Sequence, residues 1–540
     1  MRRGLKKLML GVSAMAIAAL LGMGNGQDVV KAAGYTSVIQ ACAINGNNVV
    51  VTAAVPAGTP TDDNVLYLFE MPTYAAGLTG SPVATAPYGQ AAAFTVPLNQ
   101  DQANSRLYSK FAVAVKSGGA FVQITDTAYI GNPEAIAKHT MAYPEGVSKK
   151  GLLVSPTQYN TNEIADLGVK QVTYDVPINR LFGPTTNGSY PTINYKYNGK
   201  NYQFDGFIVA QYDHVFKNLT QKGVVVTAIL LNELDPTCMQ TTHPLARTQT
   251  TSPYYMFNAA DASGVEHLAA AASFLSSRYS DIGVGRVHNW IIGNEITARS
   301  QWNYIAPMDV TTYTEEYAKA LRVFYTAIKS SNANARVFIS LDQTWNRNLT
   351  DGTGYDGRDI IDALSANSIA HGNFDWGVAI HPYGVPLTWA AFWNMPPQYA
   401  AMKLVTNTAD SPMITAQNIS VFTDYMCQPQ NLSRTGAVRN LMVSEVGFPS
   451  AQGENVQAAA IVYAYYNVAY NQHIDAFILA RDIDSPTEVA QGLNMGLRNA
   501  DGSNKLAYSV YKSMDTNPAA VEGLKAVIGI SEWSQVVQAR

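Results

Sequence analysis

The chain has few charged residues and no surplus of basic ones, which excludes several classes of protein. Aspartate, glutamate, lysine and arginine make up 14% of its 540 residues, against about 25% in an average soluble protein. Its net charge is −4, so we expect no nucleic-acid partner. Hydrophobic residues account for 47%, and there are 31 tyrosines. The chain can therefore bury large cores, and its uncharged polar surface favours neutral, hydroxyl-rich ligands.

Cysteine is also scarce, and the usual metal and nucleotide motifs are missing. Cys42, Cys238 and Cys427 lie far apart and are odd in number, so they predict neither a zinc site nor a disulfide framework. One bridge between two of them is compatible with a secreted chain, although free, buried thiols are the simpler expectation. The eight histidines include no HExxH motif, and no glycine-rich phosphate loop occurs. We therefore predict no metal and no cofactor.

One long apolar run occurs, and it lies at the N-terminus. Leu8 to Leu21 follows a basic stretch and precedes the small residues Ala32 and Ala33. The run is shorter than the roughly 20 residues that span a bilayer, so it predicts a signal peptide over residues 1–33 rather than a membrane anchor. We expect a secreted bacterial protein with no membrane segment after cleavage. Removal of this segment makes the net charge more negative.

The rest of the chain divides into two parts that differ in their pattern of predicted strands and helices. A chain of this length favours more than one domain. Residues 34–140 contain short strand-like runs separated by turn-rich stretches, with no amphipathic helix between them. Such spacing predicts a small all-β, sandwich-like accessory domain. From residue 145 to 540, strand-like and helical stretches alternate, which indicates an α/β fold with a parallel sheet.

Eight strand–helix units are recognisable in this second part, which predicts a (β/α)8 TIM barrel. A doubly wound open sheet is the alternative, and the missing phosphate loop weakens it. Residues 190–203 are an insertion whose pattern around Asn198-Gly199 predicts a β-hairpin. The predicted barrel strands are Gly151–Ser155, Gln171–Pro177, Val224–Leu231, Val287–Gly293, Arg336–Leu341, Trp376–His381, Asn440–Ser444 and Ala476–Ala480.

A carboxylic acid follows two of these apolar strands directly. Strand four runs into Asn294-Glu295 and strand seven into Glu445. Both acids are then expected at the C-terminal rim of the barrel, where the chemistry of this fold takes place. Hydrolysis of a glycosidic bond needs such a pair, because one group protonates the leaving oxygen and the other attacks the sugar or activates water.

The placement of these acids resembles the large clan of retaining TIM-barrel glycosidases, which includes cellulases, xylanases, β-galactosidases and mannanases. The likeness covers about residues 150–515. It implies that Glu295 is the acid/base, that Asn294 binds the sugar 2-hydroxyl and that Glu445 is the nucleophile. The chain is also similar to an uncharacterised family of bacterial secreted TIM-barrel proteins assigned to this clan.

The resemblance implies further contacts with the nucleophile and the sugar. His381 and Tyr383 end strand six, where the clan places a side chain that hydrogen-bonds the nucleophile. Arg180, after strand two, matches an arginine that contacts the nucleophile. At the end of strand five, we expect Asp342 and Trp345 to face the cleft and bind sugar.

Two strand ends depart from the clan's pattern. Strand three ends in Asn232-Glu233, a second Asn-Glu pair. Glu233 is therefore an alternative acid, and Asn232 is a further candidate to line the cleft. Strand eight ends in Arg481-Asp482, where the clan usually has a tryptophan. Arg481 is thus a candidate for a different or more polar contact with the substrate.

These observations predict a secreted enzyme that cleaves β-glycosidic bonds of poly- or oligosaccharides by a retaining double displacement. The alternative is a non-catalytic carbohydrate-binding protein on a decayed barrel. A metal-dependent hydrolase is less compatible with the sequence, because paired histidine ligands are missing. The sequence leaves the sugar, the linkage and the oligomeric state open.

Overall fold

The structure is a computed structural model that describes residues 36–155 and 159–540. The signal peptide predicted over residues 1–33 lies outside the described residues and stays a prediction. In the part of the chain that is described, no helix has the length and apolar character needed to cross a membrane.

The N-terminal part forms two antiparallel sheets. One has the order β1-β2-β5, and the other has the order β4-β3-β6-β7, with β8 beside β6. Val51 and Phe94 of the first sheet share a core with Leu68 and Val113 of the second. The strands are β1 (Val38–Asn45), β2 (Asn48–Ala54), β3 (Val65–Met71), β4 (Ala84–Pro87), β5 (Ala91–Pro97), β6 (Lys110–Ser117), β7 (Ala120–Gln123) and β8 (Ala128–Tyr129). The predicted all-β domain is confirmed.

The second part contains a closed parallel barrel made of β9, β10, β13 and β16–β20, in that order. The (β/α)8 prediction is confirmed, and every barrel strand has the predicted place in the count. The strands from here on are β9 (Lys150–Leu153), β10 (Gln171–Pro177), β11 (Ile193–Tyr197), β12 (Lys200–Phe204), β13 (Val225–Leu231), β14 (Ser280–Asp281), β15 (Gly285–Arg286), β16 (Asn289–Ile292), β17 (Arg336–Leu341), β18 (Trp376–Ile380), β19 (Leu441–Val446) and β20 (Ile474–Leu479).

Helices follow the barrel strands and cover them. Three of the long ones begin at an aspartate whose carboxylate accepts hydrogen bonds from the first backbone N–H groups, namely Asp205, Asp261 and Asp309. The helices are α1 (Glu163–Asp166), α2 (Gly206–Gln221), α3 (Ala262–Arg278), α4 (Val310–Ser331), α5 (Gly357–Ala370), α6 (Pro397–Ala401), α7 (Ile419–Met426), α8 (Glu454–Ala469), α9 (Pro486–Val489), α10 (Leu506–Ser513) and α11 (Leu524–Ile528).

The insertion between β10 and α2 is the predicted hairpin, formed by β11 and β12. Asn198 and Gly199 at its turn have φ angles of 45° and 73°. Positive φ at both central residues matches the twist of a two-residue hairpin turn, and it explains the Asn-Gly pair.

The all-β domain packs on the barrel through helices and the hairpin. The backbone N–H of Tyr129 donates to the carbonyl oxygen of His371, just after α5, at 3.1 Å. The guanidinium of Arg322 in α4 lies 4.9 Å from the Tyr129 ring centre and is 4% exposed. Tyr108 and Tyr197 share a hydrogen bond between their hydroxyl groups. These contacts are suited to bracing the barrel.

The side chains inside the barrel include an apolar cluster and, nearer the N-terminal ends of the strands, a polar layer in which Asn289 Nδ2 donates to the Thr227 hydroxyl at 3.0 Å. The apolar cluster consists of Ile229, Leu231, Ile291, Phe338, Ala379, Met442, Ala476 and Ile478. Asp175 of β10 pairs with Ile229, and Ile229 pairs with Ile291. Residues paired in parallel register share a face of the sheet, so Asp175 also faces the interior.

Candidate active site

Glu295 and Glu445 lie at the same end of the barrel. Glu295 follows β16, the fourth barrel strand, and Glu445 is the fifth residue of β19, the seventh. All eight strands run parallel, so both side chains belong to the C-terminal rim. Each is partly exposed. The site therefore offers two solvent-accessible carboxyl groups.

The backbone turns sharply between the end of β16 and Glu295. Gly293 has φ 78° and Glu295 itself has φ 38°, a left-handed conformation that is uncommon for a residue with a side chain. The Glu295 N–H donates to the Ser340 hydroxyl at 3.1 Å, and the next N–H, of Ile296, donates to the Ser340 carbonyl at 2.9 Å. Two bonds to one residue of β17 thus hold a strained turn, a feature that clusters at functional sites.

His381 binds the carboxyl group of Glu295. Its Nδ1 lies 2.8 Å from Glu295 Oε1, and the ring is 1% exposed. Burial disfavours the charged ring, but the negative charges of Glu445 and Glu295 outweigh it, so the pKa of His381 lies above its ordinary value. An ionised Glu295 accepts the Nδ1–H, whereas a protonated Glu295 donates to a bare Nδ1. The contact fits either state of the acid.

Tyr383 binds the second carboxyl group. Its hydroxyl donates to Glu445 Oε1 at 2.6 Å. Burial, the charge of Glu445 and this hydrogen bond hold the pKa of Tyr383 well above its usual range. The hydroxyl therefore stays protonated and remains a donor. Because His381 and Tyr383 are two residues apart, one short segment after β18 holds both carboxyl groups.

Asp342 and Asn294 flank Glu295. Asp342 accepts hydrogen bonds from the N–H of Thr344 at 2.8 Å and from its hydroxyl at 3.2 Å. Burial and the charge of Glu295 raise the pKa of Asp342 to about 7. Asn294 and Asp342 are both partly exposed. Both remain available to a ligand at the rim.

Arg180 lies at the rim but pairs with Glu233 instead of the expected Glu445. Its Nε donates to Glu233 Oε2 at 2.6 Å, and Nη2 donates to Oε1 at 2.5 Å. The Glu233 N–H is fixed in turn by the Asn179 side chain at 2.9 Å. The guanidinium thus engages both carboxylate oxygens of Glu233 in a bidentate pair. The pairing thus disfavours Glu233 as the alternative acid.

Two residues expected in the cleft are buried in the protein. Asn232 is 1% exposed, and its Nδ2 donates to the Thr242 hydroxyl at 3.0 Å. Trp345 is also 1% exposed, and its ring packs edge-on against Phe422 and Tyr425. The expected sugar contacts of Asn232 and Trp345 are therefore corrected: both side chains pack inside the protein, because the strand ends turn them away from the cleft.

Arg481, at the end of the eighth strand, forms an ion pair with Glu488. Its side chain is 33% exposed. The neighbouring acids are paired with other basic residues. Asp482 pairs with Arg498, and the buried Asp484 accepts a hydrogen bond from Lys505 Nζ at 2.9 Å. Arg481 is therefore the partly exposed charge of this strand end.

The sequence reasoning missed Asp175 and Tyr254. Tyr174 packs on α2 through edge-on contacts with Tyr212 and Phe216. Because successive side chains of a strand point to opposite faces, Asp175 points into the barrel mouth, where solvent reaches it. Desolvation by the surrounding barrel and the charge of Glu445 raise the pKa of Asp175 to about 7. Tyr254 packs over the apolar interior. An acid inside an apolar strand was the available signal.

No metal site stands out: within residues 36–155 and 159–540, no group of three or more His, Cys, Asp or Glu side chains is arranged to hold an ion. Cys42, Cys238 and Cys427 are free thiols, and the first two are buried.

Comparison with known proteins places the barrel in a family. Residues 142–536 match a family of unknown function, DUF5722. The chain belongs to this family. No curated protein matches the chain.

Several solved structures are similar to the chain at low identity. A hyperthermophilic β-glucosidase from Pyrococcus furiosus is 14% identical over 71% of this chain and 88% of its own, with a TM-score of 0.44. A GH5_18 protein from Streptomyces cattleya in complex with GlcNAc is 14% identical over 68% and 81%, with a TM-score of 0.43. A family 1 β-glucosidase from Thermotoga maritima is 13% identical over 72% and 94%, with a TM-score of 0.41.

Proposed function

We propose that this protein is a retaining glycoside hydrolase that cleaves β-glycosidic bonds of poly- or oligosaccharides. One observation carries the proposal: the segment His381–Tyr383 holds two carboxyl groups at the mouth of a closed parallel barrel. The signal-peptide pattern of residues 1–33 leads us to expect that the protein meets its substrate outside the bacterial cell.

In the proposed mechanism, Glu445 attacks the anomeric carbon while Glu295 gives its proton to the leaving oxygen. Tyr383 holds the attacking carboxylate, and His381 holds the acid. A covalent glycosyl-enzyme forms. Glu295, now ionised, then takes a proton from water, which attacks the same carbon and releases Glu445. When Glu295 is ionised, His381 donates a hydrogen bond to it from Nδ1–H.

Aromatic rings near the mouth suit the faces of a sugar. Tyr254 and Trp302 lie together, with ring centres 5.9 Å apart, and both are partly exposed. The apolar C–H faces of sugars pack on such rings. This pair of rings supports the proposal of a carbohydrate ligand. It is a candidate platform for the sugar, a role that the sequence predicts for Trp345.

The proposal is tested with wild-type protein on a panel of β-glycans and aryl β-glycosides. We expect hydrolysis, with the β-anomer as the first product detected by proton NMR, because two inversions at one carbon restore the configuration. An α-anomer formed first would contradict the retaining mechanism. Binding of glycans without any hydrolysis would favour the carbohydrate-binding alternative.

A second test concerns Tyr383. We expect Tyr383→Phe to lower kcat/KM on an aryl β-glycoside by about 10- to 100-fold, since a hydrogen bond to a charged group contributes about 1.5–3 kcal/mol. Tyr470→Phe is the matched control, because Tyr470 is 59% exposed, and it should leave kcat/KM unchanged. Unaltered kinetics in Tyr383→Phe would remove Tyr383 from the reaction.

A further inference from the structure

Asp175 is an unsatisfied carboxyl group in the mouth of the barrel. Its register with Ile229 turns it to the interior, and solvent reaches it there. In the described part of the chain, no hydrogen bond or ion pair engages its oxygens, whereas Glu295 and Glu445 each have a donor. An acceptor left open in this way is suited to a donor on a ligand.

A cavity adjoins this carboxyl group. Its volume is about 880 Å³, and Asp175, Arg180, Glu233 and Tyr254 are among the residues that line it. The charge of Glu445 opposes the ionisation of Asp175 and raises its pKa. Asp175 therefore lines a cavity at the barrel mouth and lies within electrostatic range of the proposed nucleophile.

The positive charges of the rim are already matched by negative ones. Arg180 pairs with Glu233, and Arg481 pairs with Glu488. Both arginines are thus paired with other acids. Among the described residues of the site, no arginine pairs with the carboxyl groups of Asp175, Glu295, Glu445 or Asp342. A negatively charged sugar entering this mouth meets like charge.

We infer that Asp175 accepts a hydrogen bond from a hydroxyl of the sugar whose bond is cut, and that it selects neutral glycosides over those of uronic acids. This inference rests on the proposed function. A site built to bind a hydroxyl discriminates strongly against a group that cannot donate, and a carboxylate on the sugar adds repulsion.

The experiment uses pairs of 4-nitrophenyl β-glycosides that differ only at carbon 6, namely glucoside with glucuronide and galactoside with galacturonide. At about pH 8, where a carboxyl group with a pKa of about 7 is mostly ionised, we expect wild-type kcat/KM to favour a neutral member by at least about 100-fold, because like charges in a cleft repel. In Asp175→Asn, which keeps the shape and removes the charge, this ratio should fall at least about tenfold. Asp175→Ser should lower it as well.

Asp501→Asn is the matched control, because Asp501 lies in an exposed turn, where it accepts from the Ser503 N–H at 2.9 Å. It removes the same charge and should keep the wild-type ratio. Two results would overturn the inference: a kcat/KM ratio that is unchanged in both Asp175 variants, or a wild-type preference for uronides. The proposed function would survive either result if Glu445→Gln abolishes hydrolysis. Hydrolysis of no pair by the wild type, or full activity of Glu445→Gln, would overturn the proposed function and the inference with it.

Discussion

Under the proposed function, replacing Glu445 by glutamine is expected to lower kcat on every substrate by about 10⁵-fold or more, as loss of the catalytic nucleophile does in a serine protease. The amide cannot form the glycosyl ester, so the double displacement has no first step. The Tyr383 hydroxyl can still donate to the amide oxygen that replaces Oε1. We therefore expect the fold and the binding of substrate to be retained.

The measurement is single-turnover kinetics on an aryl β-glycoside, together with calorimetric binding of the intact substrate and a thermal unfolding curve. Glu522→Gln is a matched control, because Glu522 is an exposed helix-terminal residue paired with Lys525 at 2.8 Å. It should behave like the wild type. Near wild-type turnover by Glu445→Gln on a natural glycan would refute the assignment.

Replacing Glu295 by alanine should have an effect that depends on the leaving group. On glycosides with poor leaving groups, we expect kcat/KM to fall by about 10³- to 10⁴-fold, which is the upper range for the loss of a general acid. On dinitrophenyl glycosides, which leave without a proton, bond cleavage should be nearly unaffected. Rates on a series of aryl glycosides, plotted against the pKa of the leaving phenol, measure this difference as a steeper slope.

Glu233→Ala separates the two candidate acids. Its carboxylate is bound to Arg180, so its loss should change KM and leave the slope of the leaving-group plot at the wild-type value. A steep slope in Glu233→Ala with a shallow one in Glu295→Ala would exchange the roles of the two residues.

The barrel was predictable because its strands are buried on both faces and read as apolar runs. The predicted Gln171–Pro177 and Arg336–Leu341 coincide with β10 and β17, and the other barrel strands differ by at most three residues at either end. In the all-β domain, β4 and β8 have only four and two residues, too few to show a strand pattern in the sequence. Such short strands depend on pairing with neighbours more than on their own pattern.

The site was predictable to the extent that it depends on strand ends. Glu295, Glu445, His381 and Tyr383 lie at or just after strand ends. Tyr383 contacts Glu445 as the resemblance implies, whereas His381 contacts Glu295 and not the nucleophile. Arg180 and Trp345 lie in loops beyond the strands, where a small rotation of the backbone decides between the cleft and the interior. Their partners, Glu233 and Phe422, come from distant segments, so no local pattern reveals them.

The left-handed backbone of Glu295 sets activity against stability at one position. A side chain in this conformation costs roughly 1 kcal/mol or more, which glycine avoids. A barrel released from the need for a carboxyl group here gains stability by a change to glycine, since its φ of 38° is then unstrained. Under the proposed function, selection for a stable fold and selection for turnover therefore act in opposite directions at this position.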